Sequence, residues 1–368
     1  MVNIAIFSPS QNPYSETFIQ AHKNKLSGNV FYFYGKGLGI ALEGVGKLAT
    51  SFRLNQLKFK RKLLGKPFSY ISDRLILDAL KKYNIDVILV EYGTRAYALK
   101  RVLKSAQLPV VVHFHGYDAS VTEVVENSNN YKEVFQIATH IIAVSKKMEQ
   151  MLLDLGCPKD KLVYNVYGPQ VEFESVQPTF SKKQFIGIGR FTDKKAPYYT
   201  IMAFHKVVLR HPDAKLLLAG EGILMDVCIN LVKYFKLENN VLFLGVISPD
   251  VYRTLLSESL GFVQHSIRSK RGDMEGTPLA VLEASVAGLP VISTFHAGIP
   301  DVIVHGKTGL LCEEHDVDMM AKHMLQLLDM PECAKEMGAY GKARILEHFS
   351  LGRHIEHLQS LMQGAVKD

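Results

Sequence analysis

Short runs of apolar, often β-branched residues alternate with amphipathic stretches along most of the chain. In the first half this pattern predicts six strands, at Asn3–Phe7, Val30–Tyr34, Val87–Glu91, Val110–Phe114, His140–Val144 and Lys161–Asn165. Helical periodicity lies between the strands, for example at Ile71–Lys82 and Lys146–Leu155. Strands that are almost continuously apolar and alternate with helices indicate a parallel sheet that is covered on both faces.

The pattern breaks at Val171–Lys183, a polar stretch that contains Pro178 and has no sustained periodicity. We interpret it as a linker between two domains. Alternation then resumes, with predicted strands at Phe185–Ile188, Lys215–Ala219, Val241–Leu244, Gly261–Gln264 and Val291–Ser293. Predicted helices lie at Pro197–Leu209, Met225–Lys236, Pro249–Glu258 and Pro278–Ala287, and the end from Val317 to Met362 is helical.

The sequence therefore predicts an α/β fold with two Rossmann-like, doubly wound parallel-sheet domains. We place the first domain at residues 1–175 and the second at 176–350, and we expect a final helix at 351–368 to pack back toward the first. Ligands of such sheets bind beyond the carboxyl ends of the strands, so a cleft between two facing domains is the expected site.

The composition is that of a globular chain with a basic charge balance. Of 368 residues, 47% are hydrophobic and 21% charged, the formal net charge is +7, and the isoelectric point is about 9.0. We find no signal-peptide pattern and no run of about 18 apolar residues, so neither a leader nor a membrane span is expected. The four cysteines form no CxxC pair, which favours a reduced cytosolic protein without structural zinc. No basic stretch carries stacking aromatics on one platform, so no nucleic-acid partner is expected.

One segment concentrates the positive charge. Lys47–Lys66 holds seven basic residues and no acidic one, interleaved with apolar residues such as Phe52 and Phe59. Such a basic amphipathic segment can lie on an anionic membrane surface. It can equally be a solvated helix that packs on its domain through an apolar stripe. Both interpretations stay open from the sequence.

The stretch EGTPLAVLEASVAGLP, from Glu275 to Pro290, places a second acid, Glu283, in the middle of an apolar helical run. We predict Thr277 as the N-cap of this helix and Pro278 as its first residue. The free amides at such a helix start suit a diphosphate. A ribose diol could donate two hydrogen bonds to Glu283, whose burial without partners would be costly. The alternative is an ion pair between Glu283 and a nearby Arg or Lys.

A basic loop precedes another predicted helix. GIGRFTDKKAP places Arg190 and Lys195 directly after a strand, where two cations can neutralise a departing diphosphate. A solvated basic loop is the alternative. The glycines of this loop, Gly187 and Gly189, do not complete a GxGxxG motif, so no dinucleotide fingerprint is present.

Taken together, the motifs resemble the retaining GT-B glycosyltransferases of family four. In the second half they are GRFTDKKAP, LLLAGEG, GDMEGTPLAVLEASVAGLPVIST and AGIPDVIVHGKTGLL, in family order over roughly Phe185–Asp316. SPSQNPYSETFI, VVVHFHGYDAS and AVSKKMEQMLLDLGCPKDKLVYNVYGP resemble first-half elements more loosely, especially those of enzymes that build exopolysaccharides and lipopolysaccharides.

The resemblance implies a role for each matching residue. Glu283 would hold the ribose, Glu275 the hydroxyls of the donor sugar, and His115 would touch that sugar near the reacting centre. Arg190 and Lys195 would clamp the diphosphate with help from the donor-binding residues Gly189, Gly276, Thr277 and Leu279. The resemblance also implies that no cofactor or metal is needed, and we expect none, although Asp273 and Glu275 are spaced like metal ligands.

The first loop of the first half departs from the family pattern. The first loop, SPSQNPYSET, lacks the glycine pair common in the family, and Ser15 is predicted to cap the following helix instead. His113 and His115 lie on an extended segment, and we expect them to point to opposite faces, with His115 toward the cleft. Asp118 could orient His115, contact the acceptor or cap a turn.

The expected function is retaining transfer of a hexose from a UDP- or GDP-sugar to a hydroxyl of a glycan or lipid-linked glycan in bacterial surface polysaccharide synthesis. The expected location is the cytoplasm, with peripheral attachment to the membrane through Lys47–Lys66. A nucleotide-sugar epimerase on the same fold and a non-catalytic nucleotide-sugar-binding protein remain as alternatives. The latter would be expected to lack Glu275 or Lys195, and both are present.

Overall fold

The computed structural model describes residues 1–11 and 16–367, with the side chain of Lys367 left out. The chain divides into two compact units, one made of residues 1–144, 148–165 and 354–368 and the other of 145–147 and 166–353. The first unit therefore ends at residue 165, ten residues before the expected 175. The intervening stretch contains a short 3₁₀ turn at Val171–Ser175. The predicted cap at Ser15 lies outside the described residues.

The first unit is built on an eight-stranded sheet. Its strands are β1 (Asn3–Ser8), β2 (Asn29–Tyr34), β3 (Ala41–Leu42), β4 (Gly46–Lys47), β5 (Val87–Glu91), β6 (Val110–His113), β7 (His140–Ala143) and β8 (Leu162–Tyr164). They lie in the order β4-β3-β2-β1-β5-β6-β7-β8, and only the β2–β3 and β3–β4 pairs are antiparallel. All five residues of β5 are buried, which explains the apolar run Val87–Val90; the fifth, Glu91, is a buried acid.

Helices connect these strands. They are α1 (Thr17–Lys25), α2 (Ser51–Leu63), α3 (Ser69–Lys82), α4 (Gly93–Ala106), α5 (Tyr117–Ser120), α6 (Thr122–Asn127), α7 (Lys132–Ile137) and α8 (Lys146–Asp154). The predicted strands of this half all form, to within about two residues at each end. The antiparallel strands β3 and β4 are additions that the pattern did not predict, because two residues cannot show alternation.

The second unit carries a six-stranded, wholly parallel sheet. Its strands are β9 (Gln184–Ile188), β10 (Lys215–Ala219), β11 (Val241–Gly245), β12 (Gly261–Val263), β13 (Val291–Thr294) and β14 (Gly309–Cys312). They lie in the order β11-β10-β9-β12-β13-β14. The order reverses direction at β9, and in doubly wound sheets ligands bind at such a switch point.

Helices also cover this second sheet. They are α9 (Pro197–Val208), α10 (Met225–Tyr234), α11 (Pro249–Glu258), α12 (Leu279–Val286), α13 (Ile299–Val302), α14 (Val317–Asp329) and α15 (Pro331–His348). The last helix, α16 (Leu351–Lys367), belongs to the first unit from His354 onward. Its backbone at His354 accepts a hydrogen bond from Asn165 Nδ2 at 3.1 Å. None of the described helices is both long and apolar enough to cross a bilayer.

Candidate active site

The loop between β12 and α12 holds Glu275 through its backbone. The Glu275 N–H donates to His296 Nε2 at 3.1 Å, and His296 Nδ1 lies 2.6 Å from Glu314 Oε1. Because Nε2 accepts, the ring proton sits on Nδ1 and is donated to Glu314. His296 follows β13 and is buried. The side chain that fixes this acidic loop therefore comes from the end of the neighbouring strand.

The carboxylate of Glu275 faces Lys195. Lys195 Nζ lies 3.2 Å from Glu275 Oε1 and 3.1 Å from Gln264 Oε1. The approach to Glu275 has the length of an ion pair without the angles of a hydrogen bond. Oε1 is buried, and no described residue donates a hydrogen bond to it. A sugar hydroxyl placed there would supply one.

The charges of this pair are shaped by burial and by neighbours. Burial alone would raise the pKa of Glu275, but Lys195, Lys194 and His296 outweigh it and hold that pKa below its ordinary value. Burial lowers the pKa of Lys195, and the positive charges of Lys194 and Arg190 lower it further. The negative charge of Glu275 acts in the opposite direction. Glu275 is therefore ionised near neutral pH, and two further cations surround its partner.

A second lysine ties down the acidic loop. Lys194 Nζ donates to Asp273 Oδ1 at 3.1 Å and to the Met274 carbonyl at 3.4 Å. Asp273, spaced like a metal ligand relative to Glu275, is thus paired with a cation. The groups of ligand-type side chains that converge closely enough for a metal, within the part of the chain described, do not include Asp273 or Glu275.

Arg190 lies on the exposed loop between β9 and α9 and makes no ion pair with any described residue. It lines an open recess together with Gly189 and Lys195. The recess stands at the carboxyl ends of β9 and β10, where Gly220 adopts φ +120° and has its Cα against the Gly189 carbonyl. A Cβ at Gly220 would overlap that oxygen, so the close approach of the two loops requires glycine.

The predicted helix start is wrong by one residue. Helix α12 begins at Leu279, and Pro278 rather than Thr277 occupies the cap position. The Leu279 N–H is still one of the amides that the helix leaves unbonded. Gly298 supports this turn by donating its N–H to the Gly276 carbonyl at 2.9 Å. A Cβ on Gly298 would overlap Thr277 Oγ1 and that same carbonyl, so no larger residue fits behind the turn.

Glu283 lies in the second turn of α12 and is mostly buried. Among the described residues it makes no ion pair and no side-chain hydrogen bond, so the alternative of a structural ion pair has no partner. Burial raises its pKa to about 7, and only the charge of Lys195 opposes that shift. Burial raises the pKa of Tyr252, and the negative charge of Glu283 raises it further. An unpaired carboxylate at this position is available to a polar ligand.

In the first unit, Asp118 shapes the backbone around His115. Its Oδ1 accepts the N–H groups of His115 and Gly116, both at 3.0 Å, and its Oδ2 accepts that of Gly93 at 2.9 Å. All three of these hydrogen bonds come from backbone N–H groups, so of the three roles considered for Asp118 the capping of a turn is the one that they show. His115 Nε2 lies 2.8 Å from Glu91 Oε2.

The expectation that His113 and His115 point to opposite faces is wrong. Their rings stack with centroids 4.6 Å apart and planes within 10°. Residues two apart on an extended chain share a face, since successive side chains alternate. The ring of Tyr92 also lies 4.4 Å from that of His115.

The comparisons with known proteins agree with this architecture. Residues 171–344 match the family described as glycosyl transferases group 1, and residues 46–165 match glycosyltransferase family 4. The chain belongs to the family-four glycosyltransferases. It is accordingly an enzyme of the transferase class.

Two relatives show the range of this glycosyltransferase family. The chain is 29% identical over 267 residues to the amylovoran biosynthesis glycosyltransferase AmsK of Erwinia amylovora, covering 70% of this chain and 66% of AmsK. It is 28% identical over 317 residues to the N-acetyl-alpha-D-glucosaminyl L-malate synthase of Bacillus anthracis, covering 82% and 81%. The chain thus spans about two thirds of AmsK and most of the Bacillus anthracis relative.

A solved structure confirms the fold of the glycosyltransferase. HepE of Anabaena, determined in complex with UDP-glucose, superposes with a TM-score of 0.78 at 14% identity over 99% of this chain and 100% of HepE. The predicted GT-B architecture, with two parallel-sheet α/β domains, is therefore confirmed.

The structure brings most of the predicted residues of the glycosyltransferase together in the second unit and places His115 in the first. Arg190, Lys195 and Glu275 share one charged cluster, and Glu283 is near enough to Lys195 to feel its charge. The sequence analysis missed residues that hold these groups in place, namely Gln264, His296, Glu314, Lys194 and Glu91. His296 and Glu91 carried a usable signal, because each is a polar residue at the carboxyl end of an apolar strand.

Proposed function

We propose that the protein is a retaining hexosyltransferase that moves a sugar from a UDP- or GDP-sugar to a hydroxyl of a glycan or lipid-linked glycan in bacterial surface polysaccharide synthesis. The observation that carries the proposal is the Lys195–Glu275 pair beside Arg190 and Glu283, neither of which forms an ion pair within the described part of the chain. The cations fit a diphosphate, and the two carboxylates fit the hydroxyls on either side of it.

The proposed chemistry follows from where charge develops. As the bond from the sugar C1 to the diphosphate breaks, negative charge grows on the leaving group, and Lys195, Arg190 and the amides at the start of α12 stabilise it. Glu275 and His115 hold the sugar as it gains oxocarbenium character. The acceptor oxygen attacks C1 on the face that the diphosphate leaves, and its proton passes to the departing phosphate oxygen, so the configuration is retained.

No metal ion has a part in this proposal. Lys195 and Arg190 supply the positive charge that a bound divalent ion supplies to diphosphates elsewhere. We expect turnover to continue in the presence of a chelator at a concentration that strips divalent ions from the buffer. Loss of turnover in chelator, with recovery when magnesium or manganese is restored, would contradict this part of the proposal.

The donor can be identified by ligand-induced thermal shift across UDP-, GDP- and ADP-sugars. A ligand that binds only the folded state raises the melting temperature by mass action. We expect a saturable, selective shift with one UDP- or GDP-sugar. UDP is the first choice because HepE, a structural relative, was solved with UDP-glucose. No shift with any nucleotide sugar would contradict the proposal.

Product analysis by NMR then separates the alternatives. A transferase gives a new glycoside whose anomeric configuration matches that of the donor. An epimerase gives an altered sugar without an acceptor, and a non-catalytic protein leaves the donor unchanged. The acceptor panel should include small hydroxy acids such as malate, because the relative that aligns over 82% of this chain is named N-acetyl-alpha-D-glucosaminyl L-malate synthase. Transfer to malate but to no glycan would contradict the proposed acceptor class.

We further propose that α2 docks the protein on anionic membrane. At 100° per residue Phe52, Phe59 and Leu63 share one helical face, and their exposures are 75%, 70% and 75%. Leu54 and Leu57 lie on the other side, where they pack in a small core with α3. The helix therefore has both an inward apolar stripe and an unpartnered outward one.

The flanks of the outward stripe carry Lys58, Lys60 and Lys62, all of them exposed. Each lysine near an anionic bilayer is worth about 1 kcal/mol, and the apolar side chains add insertion energy. This surface would hold the enzyme at the inner face of the cell membrane, where cytoplasmic nucleotide sugars and lipid-linked acceptors meet.

Liposome flotation tests the docking proposal. We expect binding to vesicles with phosphatidylglycerol and little binding to pure phosphatidylcholine. A triple variant, Phe52→Ser with Phe59→Ser and Leu63→Ser, should lose it. The matched control is Ile223→Ser, which removes an apolar side chain that is 83% exposed outside this segment. Equal flotation with and without anionic lipid would contradict the proposal.

A further inference from the structure

A chain of buried hydrogen-bonding side chains runs from His115 to the last helix of the protein. Glu91 lies between two imidazoles, with Oε2 at 2.8 Å from His115 Nε2 and Oε1 at 2.7 Å from His22 Nδ1. His22 Nε2 is in turn 2.8 Å from His354 Nε2. Glu91, His22 and His354 are at most 2% exposed. The four residues come from β5, α1, α16 and the segment after β6, all within the first unit.

With Glu91 taken as ionised, the direction of each hydrogen bond follows; burial raises the pKa of Glu91, and the hydrogen bond from His115 opposes that shift. A carboxylate only accepts, so His115 donates from Nε2 and His22 donates from Nδ1. His22 Nε2 then carries a lone pair and accepts from the Nε2–H of His354. Every contact is satisfied with three neutral imidazoles and one carboxylate. His115 is left with its lone pair on Nδ1.

The surroundings favour neutral rings. Burial lowers the pKa of His22 to about 3 and lowers the pKa of His115 against the opposing pull of Glu91. Burial also lowers the pKa of His113, which stacks on His115. The other charged groups that act on these hydrogen-bonded residues are Glu16 and Asp118. Both raise the pKa of Glu91, as burial does.

A metal ion is the competing explanation, because His22, His113 and His354 offer nitrogens that lie within 4.8 Å of one another. Tetrahedral zinc with Zn–N bonds of about 2.0–2.1 Å would hold two ligand nitrogens about 3.3 Å apart. The 2.8 Å between His22 Nε2 and His354 Nε2 is shorter than that and has the length of a hydrogen bond. The geometry therefore favours protons over a metal.

We infer that Glu91, His22 and His354 are positioning residues that fix the ring tautomer of His115, with the proton on Nε2 and the lone pair on Nδ1. The proposed function assigns His115 to the donor sugar, and this inference adds to that assignment the tautomer His115 must hold. It also gives α16 a part in the reaction, since His354 on that helix sets the tautomer of His22. The C-terminal helix and the reacting centre are then joined by three hydrogen bonds.

Long-range ¹H–¹⁵N NMR of histidine-labelled protein tests the tautomers without any need for activity. We expect a pyridine-type, unprotonated Nδ1 for His115 and a protonated Nδ1 for His22. Assignment uses the single variants His115→Gln and His22→Gln, each of which removes one set of signals. A protonated Nδ1 on His115 contradicts the inference, whatever the protein is found to catalyse. So does stoichiometric zinc, nickel or cobalt in the purified protein that is lost in His354→Leu.

Kinetics provide the second test. In Glu91→Gln the side-chain amide donates to one ring and forces the wrong tautomer on it, so we expect kcat to fall about tenfold or more with donor KM nearly unchanged. His354→Leu should lower kcat and shift its pH profile, whereas His354→Gln retains an N–H donor and should restore most of the activity. The control is His323→Gln on α14, a buried histidine bonded only to the Leu311 carbonyl.

These outcomes separate the two proposals. If the wild-type protein shows the expected tautomers but no transferase activity, the proposed function is contradicted and the inference about the hydrogen-bonded residues is supported. If the wild-type protein is active and Glu91→Gln has the same kcat, the positioning role of these residues is contradicted and the proposed function is unaffected.

Discussion

Lys195 Nζ lies 3.2 Å from Glu275 Oε1, and this ion pair joins the loop after β9 to the loop before α12. The two residues are 80 positions apart in the sequence and lie in the same unit. Lys195 neutralises Glu275. A bound donor would share both, with its diphosphate on the lysine and its sugar hydroxyls on the carboxylate.

The first prediction concerns this pair. Lys195→Ala and Glu275→Ala should each lower kcat by about two orders of magnitude or more, since each removes a charged contact to the transition state. Circular dichroism and melting temperature should show an intact fold. The control is Lys206→Ala, which breaks the exposed ion pair with Asp318. Near-normal turnover in both site variants would remove the basis for the site assignment.

The second prediction concerns His296, which accepts the Glu275 N–H. His296→Ala should lower kcat about 10- to 100-fold, because the carboxylate is no longer held where the sugar is expected. His296→Gln places an oxygen near the former Nε2 and should recover part of the loss. Steady-state kinetics with saturating acceptor measure both. If the alanine variant matches the wild type, the loop does not depend on His296.

The third prediction follows from the pKa of Glu283, which burial raises to about 7 from an ordinary value of 4.5. The folded state then keeps a proton that the unfolded state has lost between about pH 4.5 and 7, so this group makes stability fall as the pH rises through that window. Glu283→Gln should remove this contribution and raise the melting temperature at pH 8. Thermal melts across pH measure it, with Glu336→Gln, an exposed residue on α15, as the control.

The same ionisation should govern donor binding in the opposite direction. The ionised Glu283 is the better acceptor for ribose hydroxyls, so donor affinity should increase from pH 6 to pH 8. Glu283→Gln should weaken binding about 10- to 100-fold, the range expected for loss of hydrogen bonds to a charged group, and should flatten the pH dependence. Isothermal titration calorimetry measures this. Affinity that is independent of pH in the wild type would contradict the assigned role.

The fourth prediction tests the turn behind the α12 amides. Gly298→Ala should destabilise the fold by about 1–3 kcal/mol, because its Cβ overlaps backbone and a short side chain that cannot yield freely. Donor affinity should fall as well. The control is Gly352→Ala on α16, where a Cβ meets open space and alanine should stabilise the helix slightly. Urea unfolding compares the two, and equal stability would show that the turn adjusts easily.

Much of the fold could be predicted, because nearly continuous apolar strands alternate with amphipathic helices. Strand β14 was not predicted, because Gly309–Cys312 is a short apolar run that periodicity cannot assign to a helix or a strand. The helix start at Leu279 differed from the prediction because Pro278 is equally acceptable before the first turn and within it.

Some residues of the candidate site could likewise be predicted from the sequence, and others could not. Glu275, Glu283, Arg190 and Lys195 could be named because each lies in a local pattern of loop and helix start. The supporting residues could not, because their contacts join distant parts of the chain. His22 and His354 are 332 positions apart, and no local pattern connects them. The stacking of His113 and His115 was predictable, and the analysis missed it by misapplying the strand alternation.

The most direct test of the central claim is a crystal structure of the protein with its nucleotide diphosphate or nucleotide sugar. We predict that the Glu283 carboxylate lies within hydrogen-bonding distance of both ribose hydroxyls, with the diphosphate against Lys195 and Arg190. A ribose bound elsewhere, with Glu283 paired to a neighbouring cation, would contradict it.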